Sequence, residues 1–174
     1  YASQLPYTFT DAYAKINLSA NTGSKFSLFG FNFNDRVNFT GVSDLSWKSY
    51  GGGTNFVIAP TNANSLISGG IYYSDYKISL SEADNKPRES QINGFDANIK
   101  VTSYLPNHSE LSYGVEFTGF KTAYQYYNFI GIRQEQNDYT TQVGSFIKLR
   151  KSFSNKLVIE PGVRVQYYAS LPVA

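Results

Sequence analysis

The single histidine and the many serines are the first residues to consider for catalysis. His108 is the only histidine among 174 residues, and the chain has no cysteine. A nucleophilic serine needs a base beside it, and a zinc site needs several nitrogen or sulfur ligands at a suitable spacing. Neither arrangement occurs here. The sequence therefore predicts a solvated histidine in a turn, no catalytic or metal site, no cofactor and no enzyme.

Two further segments carry residue types that are found in ligand sites. One segment combines three carboxylates with two cations: Glu82, Asp84, Glu89, Lys86 and Arg88. Their spacing does not match a calcium loop, so a solvated loop of mixed charge is the better interpretation. The run Gly51-Gly52-Gly53 lacks the following lysine and helix of a phosphate-binding loop, and it predicts a bulge or kink in a strand.

Composition restricts the partners and the class of protein. The net charge is +2, and the cations are scattered among acids without a basic run, which argues against a nucleic-acid partner. Mean hydropathy is -0.33, and no apolar stretch approaches the ~20 residues of a spanning helix. A transmembrane β-barrel remains compatible with these values, because its strands alternate apolar and polar residues.

Period-two alternation of apolar and polar residues predicts strands along most of the chain. The pattern is clear in residues 110–121, where Leu111 and Val115 alternate with Glu110 and Glu116. About eight strands are expected, near the spacing of a membrane-length meander. The predicted segments are 12–20, 26–34, 45–59, 72–79, 91–104, 110–121, 142–150 and 157–168.

The connections between these segments alternate in length. Residues 21–24, 61–64, 105–108 and 152–155 form tight turns rich in Asn, Ser, Gly and Pro, whereas residues 35–44, 81–90 and 127–137 are longer and more polar. Outer-membrane barrels combine short periplasmic turns with longer extracellular loops. We therefore predict an antiparallel, up-and-down transmembrane β-barrel topology, with the three long loops at one rim and the tight turns at the other.

Each strand is expected to show one face to lipid and the other to a lumen. The predicted outward band consists of Phe95, Ala97, Ile99, Val101, Val115, Phe117, Val143, Ile147, Leu157, Ile159, Val163 and Val165. A cation facing lipid costs about 2–4 kcal/mol at the midplane, so charged residues should face the lumen. The candidates are Lys15, Asp75, Lys77, Asp96, Lys100, Glu116, Lys148, Glu160 and Arg164. Cross-strand ion pairs would explain them, and a plug-facing or substrate-lining role is the sharper alternative.

Tyrosines are unusually frequent, with 15 in the chain. A ring with a polar tip favours the headgroup level of a membrane, which predicts interfacial girdles rather than platforms for sugars. The set comprises Tyr72, Tyr73, Tyr76, Tyr104, Tyr113, Tyr124, Tyr126, Tyr127, Tyr139, Tyr167 and Tyr168. We expect Tyr126 and Tyr127 to lie in an extracellular loop and to be candidates for ligand contact.

Several short motifs resemble one membrane-protein family. Tyr13-Ala14-Lys15-Ile16-Asn17 followed by Phe26-Ser27-Leu28-Phe29-Gly30-Phe31 resembles an early barrel hairpin of TonB-dependent outer-membrane receptors of the glycan- or peptide-importing type. Asn107-His108-Ser109-Glu110-Leu111 and Glu160-Pro161-Gly162-Val163-Arg164 resemble turn-then-strand pieces of the same family. The similarity covers most of the chain.

The resemblance implies nutrient import across the outer membrane of a Gram-negative bacterium. Such a receptor has a barrel of about 22 strands around an N-terminal plug, and a TonB energy complex acts on it. Outer-membrane lipid, the rest of the barrel and the plug would be partners, and a surface lipoprotein is a further candidate. No plug or TonB-contacting segment is visible here. We therefore expect residues 1–174 to be one partial barrel domain, an arc of a larger barrel.

Two other classes of protein remain open. The first is a complete small eight-stranded outer-membrane barrel with a structural, anchoring or adhesive role, and the second is a soluble sandwich that binds carbohydrate. The arc predicts that segment 12–20 does not pair with segment 157–168. A small barrel requires that pairing, because an unpaired strand edge in lipid is very costly.

Overall fold

One antiparallel sheet contains nearly all the described residues. The computed structural model describes residues 6–82, 86–154 and 157–173. Its strands are β1 (Tyr7–Ser19), β2 (Lys25–Phe39), β3 (Ser43–Ile58), β4 (Ser65–Glu82), β5 (Arg88–Leu105), β6 (Ser109–Tyr127), β7 (Arg133–Ser154), β8 (Leu157–Ile159) and β9 (Gly162–Val173). The described part of the chain has no helix long and apolar enough to cross a membrane. The predicted all-β, up-and-down fold is confirmed.

The last two strands are two parts of one strand. Both β8 and β9 pair with β7, and Lys151 opposite Ile159 is in the same register as Lys148 opposite Gly162. Pro161 lies in the gap and has no N–H to donate to β7, so the ladder of hydrogen bonds is interrupted there. Its carbonyl still accepts a hydrogen bond from the Leu149 N–H at 2.9 Å. The sheet is therefore an eight-strand meander, as expected.

The meander does not close on itself. Strand order runs from β1 to β7 in sequence, and among the described residues β1 pairs only with β2 while β9 pairs only with β7. The prediction that the first and last strands do not pair is confirmed. Each end of the sheet thus presents an edge of backbone N–H and C=O groups to a further strand.

The predicted separation of connections at two rims is confirmed, but their predicted lengths are wrong. Residues 20–24, 59–64 and 106–108 connect strands at the 20–24 rim. Residues 40–42 and 128–132 connect strands at the 40–42 rim, where β4 also ends and β5 begins. The expected loops 35–44 and 127–137 are mostly strand, and residues 81–82 and 88–90 at the two ends of the third expected loop are strand as well. Residues 83–85 and 155–156 lie outside the described residues.

Strand length explains why the loop prediction failed. A tilted strand crosses the hydrocarbon with about 9–11 residues, whereas β4 and β5 have 18 residues and β7 has 22. Beyond that thickness both faces of a sheet meet water, so polar side chains no longer mark the end of a strand. Pairing continues to three-residue turns such as 40–42, where Gly41 has a φ of 77°.

The bulge or kink predicted at Gly51-Gly52-Gly53 is absent from the pairing. The register of β3 with β2 and with β4 continues through all three glycines. A Cβ on Gly51 would lie 2.5 Å from the Tyr73 carbonyl oxygen and 2.9 Å from the Phe31 ring. Glycine is therefore needed to let an aromatic ring lie across the strand. The register shifts instead between Ser152 and Ser154, where β7 meets β8.

Candidate functional site

The pairing register assigns every strand residue to one of two faces. Directly opposed residues of antiparallel strands point to the same side of a sheet, and successive residues alternate. Val115 is opposite Ile99 and Ser145, and Glu116 is opposite Asn98 and Gly144. We call the two sides the Val115 face and the Glu116 face.

The Val115 face carries the expected apolar band. Eleven of the twelve residues predicted for the band share this face by register, including Ile159, which is opposite Lys151. The twelfth, Leu157, lies at the register shift between β7 and β8, where the register does not assign a face. Their side chains are open: Val115 and Ile147 are each 51% exposed and Val165 is 66% exposed. No hydrophobic side chain among the described residues is buried. The band therefore does not converge on an interior core, as it would in a soluble sandwich closed around these residues.

Seven of the nine predicted lumen candidates lie on the Glu116 face. Glu116 and Arg164 form an ion pair at 2.6 Å across two strands, over Gly144. Lys148 lies 3.6 Å from Glu160, which also binds Arg150 at 3.0 Å. Asp96 accepts a hydrogen bond from Thr118, while Lys15 and Lys100 have no ion-pair partner within 4.0 Å among the described residues. Cross-strand pairing thus accounts for part of this set and leaves two free cations.

Asp75 and Lys77 are corrections to that set, because they lie on the opposite face. Asp75 is opposite Tyr50 and Asn93, and Lys77 is opposite Gln91, all on the side of Val115. Asp75 is 4% exposed and accepts a hydrogen bond from the Gln91 amide at 2.7 Å. Alternation within β4 shows that Asp75 and Lys77 point to the same face of the sheet. Only the register with β5 shows that this is the Val115 face.

The Val115 face becomes polar toward the 40–42 rim. One row of opposed residues runs Tyr50, Asp75, Asn93, Lys121 and Tyr139, and it borders the apolar band. Beyond this row the face carries ion pairs, including Lys77–Glu89 at 2.8 Å, Arg133–Glu135 and Arg36–Asp44. The Arg36 hydrogen bond lowers the pKa of the Asp44 carboxyl. Such a border is expected where strands leave lipid and enter water.

The tyrosines are divided between the two faces of the sheet, which corrects the girdle prediction. Tyr73, Tyr113, Tyr127, Tyr139 and Tyr167 lie on the Val115 face, but Tyr72, Tyr76, Tyr104, Tyr124, Tyr126 and Tyr168 lie on the Glu116 face. The second group points away from the apolar band and cannot form a girdle in the same lipid. Period-two patterns in single strands do not reveal this, because an aromatic ring suits either environment.

Three stacked ring pairs lie on the Glu116 face: Tyr7–Phe9, Phe31–Phe33 and Tyr124–Tyr126, with centroids 5.7, 5.2 and 5.3 Å apart. Each pair has one residue between its members, so both rings fall on one face. That spacing is the sequence signal that would have revealed these pairs.

The two tyrosines proposed for ligand contact are separated by the sheet. Tyr126 and Tyr127 are the last residues of β6 rather than loop residues, and they are opposite Gln134 and Arg133. Tyr126 stacks on Tyr124 on the Glu116 face, and Tyr127 lies on the Val115 face. Partial burial and the neighbouring Tyr126 raise the pKa of Tyr124. Of the two, only Tyr126 therefore belongs to a stacked ring pair.

His108 lies in a turn apart from these surfaces, and Glu82, Arg88 and Glu89 of the segment 82–89 are held in ion pairs. His108 is exposed in the 106–108 turn with a φ of 54°, and its carbonyl accepts a hydrogen bond from Ser152. Glu82 pairs with Arg88 at 3.1 Å, and Glu89 pairs with Lys77. Asp84 lies outside the described residues. The two described carboxylates of this segment, Glu82 and Glu89, therefore make separate ion pairs on opposite faces of the sheet.

The fold is similar to that of several solved outer-membrane proteins. The alcaligin receptor FauA from Bordetella pertussis matches with a TM-score of 0.77 and 8% identity, over 96% of this chain and 29% of FauA. FpvA from P. aeruginosa matches with a TM-score of 0.75 and 11% identity, over 96% and 31% of the two chains. The copper transporter OprC gives 0.70 and 12%, over 98% and 30%. No family model and no curated protein matches the sequence.

This sheet has the fold of an outer-membrane receptor barrel wall. FauA, FpvA and OprC are TonB-dependent receptors, so the resemblance seen in the sequence motifs is confirmed at the level of the fold. The chain spans about a third of the length of these proteins. The glycan- or peptide-importing type stays a prediction.

Proposed function

We propose that residues 1–174 are one partial barrel domain in the wall of a TonB-dependent import receptor of the Gram-negative outer membrane. One observation carries the proposal: among the described residues the meander is open, with unpaired edges at β1 and β9, and one face carries an apolar band with no buried side chain. In lipid both edges must pair with further strands. Similarity to about a third of each receptor supports an arc of a barrel of about 22 strands.

The Glu116 face is proposed to line the lumen. Its cations and carboxylates would each cost several kcal/mol in lipid, while the opposite face carries the apolar side chains. Lys15 and Lys100, which lack ion partners among the described residues, are available to a plug domain or to a passing ligand. Asp96, Glu116, Lys148, Glu160 and Arg164 complete the polar surface that would meet the plug.

The proposed activity is nutrient import rather than catalysis. Outer-membrane lipid would surround the Val115 face, a plug would fill the lumen, and the TonB complex would open the plug through a segment outside these residues. A surface lipoprotein that delivers the nutrient is a further proposed partner. The motifs near Tyr13 and Asn107 support a glycan- or peptide-importing type of receptor.

Co-purification with TonB tests this function. The periplasmic domain of TonB should bind the purified full-length protein, and a residue 1–174 fragment should not bind it. A disulfide test addresses the arc: Ala14→Cys with Val165→Cys should not cross-link, because β1 and β9 lie at opposite ends of the sheet. Efficient cross-linking within one chain, with no TonB binding, would instead indicate the complete eight-stranded barrel with an anchoring or adhesive role.

A further inference from the structure

A single row of opposed residues carries three aromatic side chains across the Glu116 face. Phe9 is opposite Asp35, which is opposite Trp47, and the row continues through Ile78 and Ser90 to Tyr124. We call Phe9, Trp47 and Tyr124 the aromatic row. Five inter-strand steps of ~4.8 Å separate its ends, so the row is roughly 24 Å long. Trp47 is the only tryptophan of the chain.

The ends of the row are held in fixed orientations by stacking. Phe9 stacks on Tyr7, and Tyr124 stacks on Tyr126 with the two ring planes within 1° of parallel. Each ring covers one side of its neighbour and leaves the other side open, since Tyr124 is 44% and Tyr126 is 37% exposed. Rings that are already oriented lose little conformational freedom when a ligand stacks on them.

Neutral hydrogen-bonding groups flank the Tyr124 end of the row. Tyr124 is opposite Ser90 on one side and Gln136 on the other, and Tyr126 is opposite Gln134. The Gln136 amide donates to Asp138 at 2.9 Å, which orients its carbonyl oxygen as a remaining acceptor. Hydroxyl and amide groups beside an open ring suit a ligand that is flat on one side and carries hydroxyls at its edge.

Charge argues against an ionic ligand at this end. Among the described residues, the charged side chains next to the tyrosine pair on this face are Glu82, Arg88 and Asp138. Arg88 and Glu82 pair at 3.1 Å, and Asp138 accepts from Gln136. At the tyrosine end a charged ligand would therefore find its possible partners already engaged. At the other end the Asp35 carboxylate, which lies within the row, interacts with the side chain of Tyr7. The free cations Lys15 and Lys100 lie further along the strands, toward the 20–24 rim.

We propose that the aromatic row binds a neutral oligosaccharide, with separate sugar rings along one chain stacked on Phe9, Trp47 and Tyr124 and hydroxyls bonded to Ser90, Gln134 and Gln136. The proposal rests on the proposed function, because it places the row inside a barrel wall on the path of an imported nutrient. A row of roughly 24 Å matches an extended chain of several sugar rings rather than a monosaccharide.

Calorimetric titration of the purified full-length protein tests the site. The probes are maltohexaose, cellohexaose, xylohexaose and mannohexaose, each with its disaccharide. We expect at least one hexasaccharide to bind, and to bind at least about tenfold more tightly than its disaccharide, since only the longer chain reaches more than one ring.

Variants then assign the binding to the row. Tyr124→Ala with Tyr126→Ala should weaken hexasaccharide binding by about tenfold or more, whereas Tyr124→Phe with Tyr126→Phe keeps the rings and should stay within about threefold. Tyr139→Ala is the matched control, since Tyr139 is also 44% exposed but lies on the Val115 face. It should leave binding unchanged.

Three results would overturn the inference: no binding of any hexasaccharide, equal binding of hexasaccharide and disaccharide, or binding that the alanine pair leaves unchanged. Failure of the proposed function is distinguishable. A protein that binds TonB but no sugar overturns only this site, and one that binds sugar but not TonB retains the site and loses import.

Discussion

Arginine placed at two consecutive positions of β7 would compare the two faces at the same depth. Val143 and Gln142 are neighbours in sequence, but Val143 is opposite Phe117 and Tyr167 on the Val115 face, whereas Gln142 is opposite Thr118 and Tyr168 on the Glu116 face. The apolar band on β7 extends from about Tyr139 to Leu149, so Val143 lies near its middle.

The expected penalty follows from that position. An arginine facing lipid near the midplane costs about 2–4 kcal/mol, and near the interfaces only about 0–1 kcal/mol. Val143→Arg should therefore lower the folding equilibrium constant by roughly 30- to 700-fold, at about 1.4 kcal/mol per factor of ten. Gln142→Arg points to the polar side, where Gln166 donates to Gln142 at 3.1 Å, and should cost less than about 1 kcal/mol.

Urea titration of the full-length protein in phospholipid vesicles measures both variants, with folding followed by gel mobility. A penalty for Gln142→Arg equal to or larger than that for Val143→Arg would refute the assignment of lipid to the Val115 face. Equal small penalties would refute the membrane-spanning role of this strand.

Three further perturbations test the packing and the charges. Gly114→Val should destabilise the protein by about 1–3 kcal/mol in a denaturant titration. A Cβ at this position would lie 2.6 Å from the Ile99 carbonyl oxygen and 2.9 Å from the Phe146 ring. Gly119→Ala is the control and should change little, because a Cβ there meets only ordinary contacts at 3.6 Å. A double-mutant cycle with Glu116→Gln and Arg164→Gln should give a coupling of about 0.2–1 kcal/mol that falls with added salt, since both side chains are partly exposed. A coupling near zero, or one that added salt leaves unchanged, would contradict this prediction. The ion pair of Asp44 with Arg36 stabilises the pairing of β2 with β3 at pH values above the ordinary carboxyl pKa. This stabilisation is lost as the pH falls through the lowered pKa of Asp44. Arg36→Gln should raise the pKa of Asp44 measured by NMR back toward its ordinary value, and an unchanged pKa would contradict the assignment.

Strand number and direction were predictable because alternation is a local property. In β6 the side of each residue is set by its position, so Leu111, Val115 and Glu116 in the sequence already show an apolar and a polar side. Membrane immersion strengthens this pattern, since lipid selects apolar groups on one side only. The tight turns around Gly23 and His108 were predictable for a similar reason, because Gly and Asn tolerate the left-handed region.

Relations between strands were less predictable, because they depend on register. Asp75 and Lys77 alternate correctly within β4 but fall on the side of Val115 once Asp75 is placed opposite Asn93. The same applies to Tyr124 and Tyr73, which are chemically alike and face opposite sides. Strand ends were missed because the sheet continues beyond the apolar band, where polar composition resembles that of a loop.

Nitroxide labels on consecutive residues of β6 measure most directly which side of the sheet meets lipid. Residues 1–174 contain no cysteine, so single cysteines from position 111 to position 118 of the full-length protein place one label at a time in this region. In lipid bilayers we predict that collisional access to oxygen alternates with a period of two and peaks at Tyr113, Val115 and Phe117. Peaks at Ser112, Glu116 and Thr118, or the absence of any alternation, would contradict the assignment of the Val115 face to lipid and the Glu116 face to the lumen.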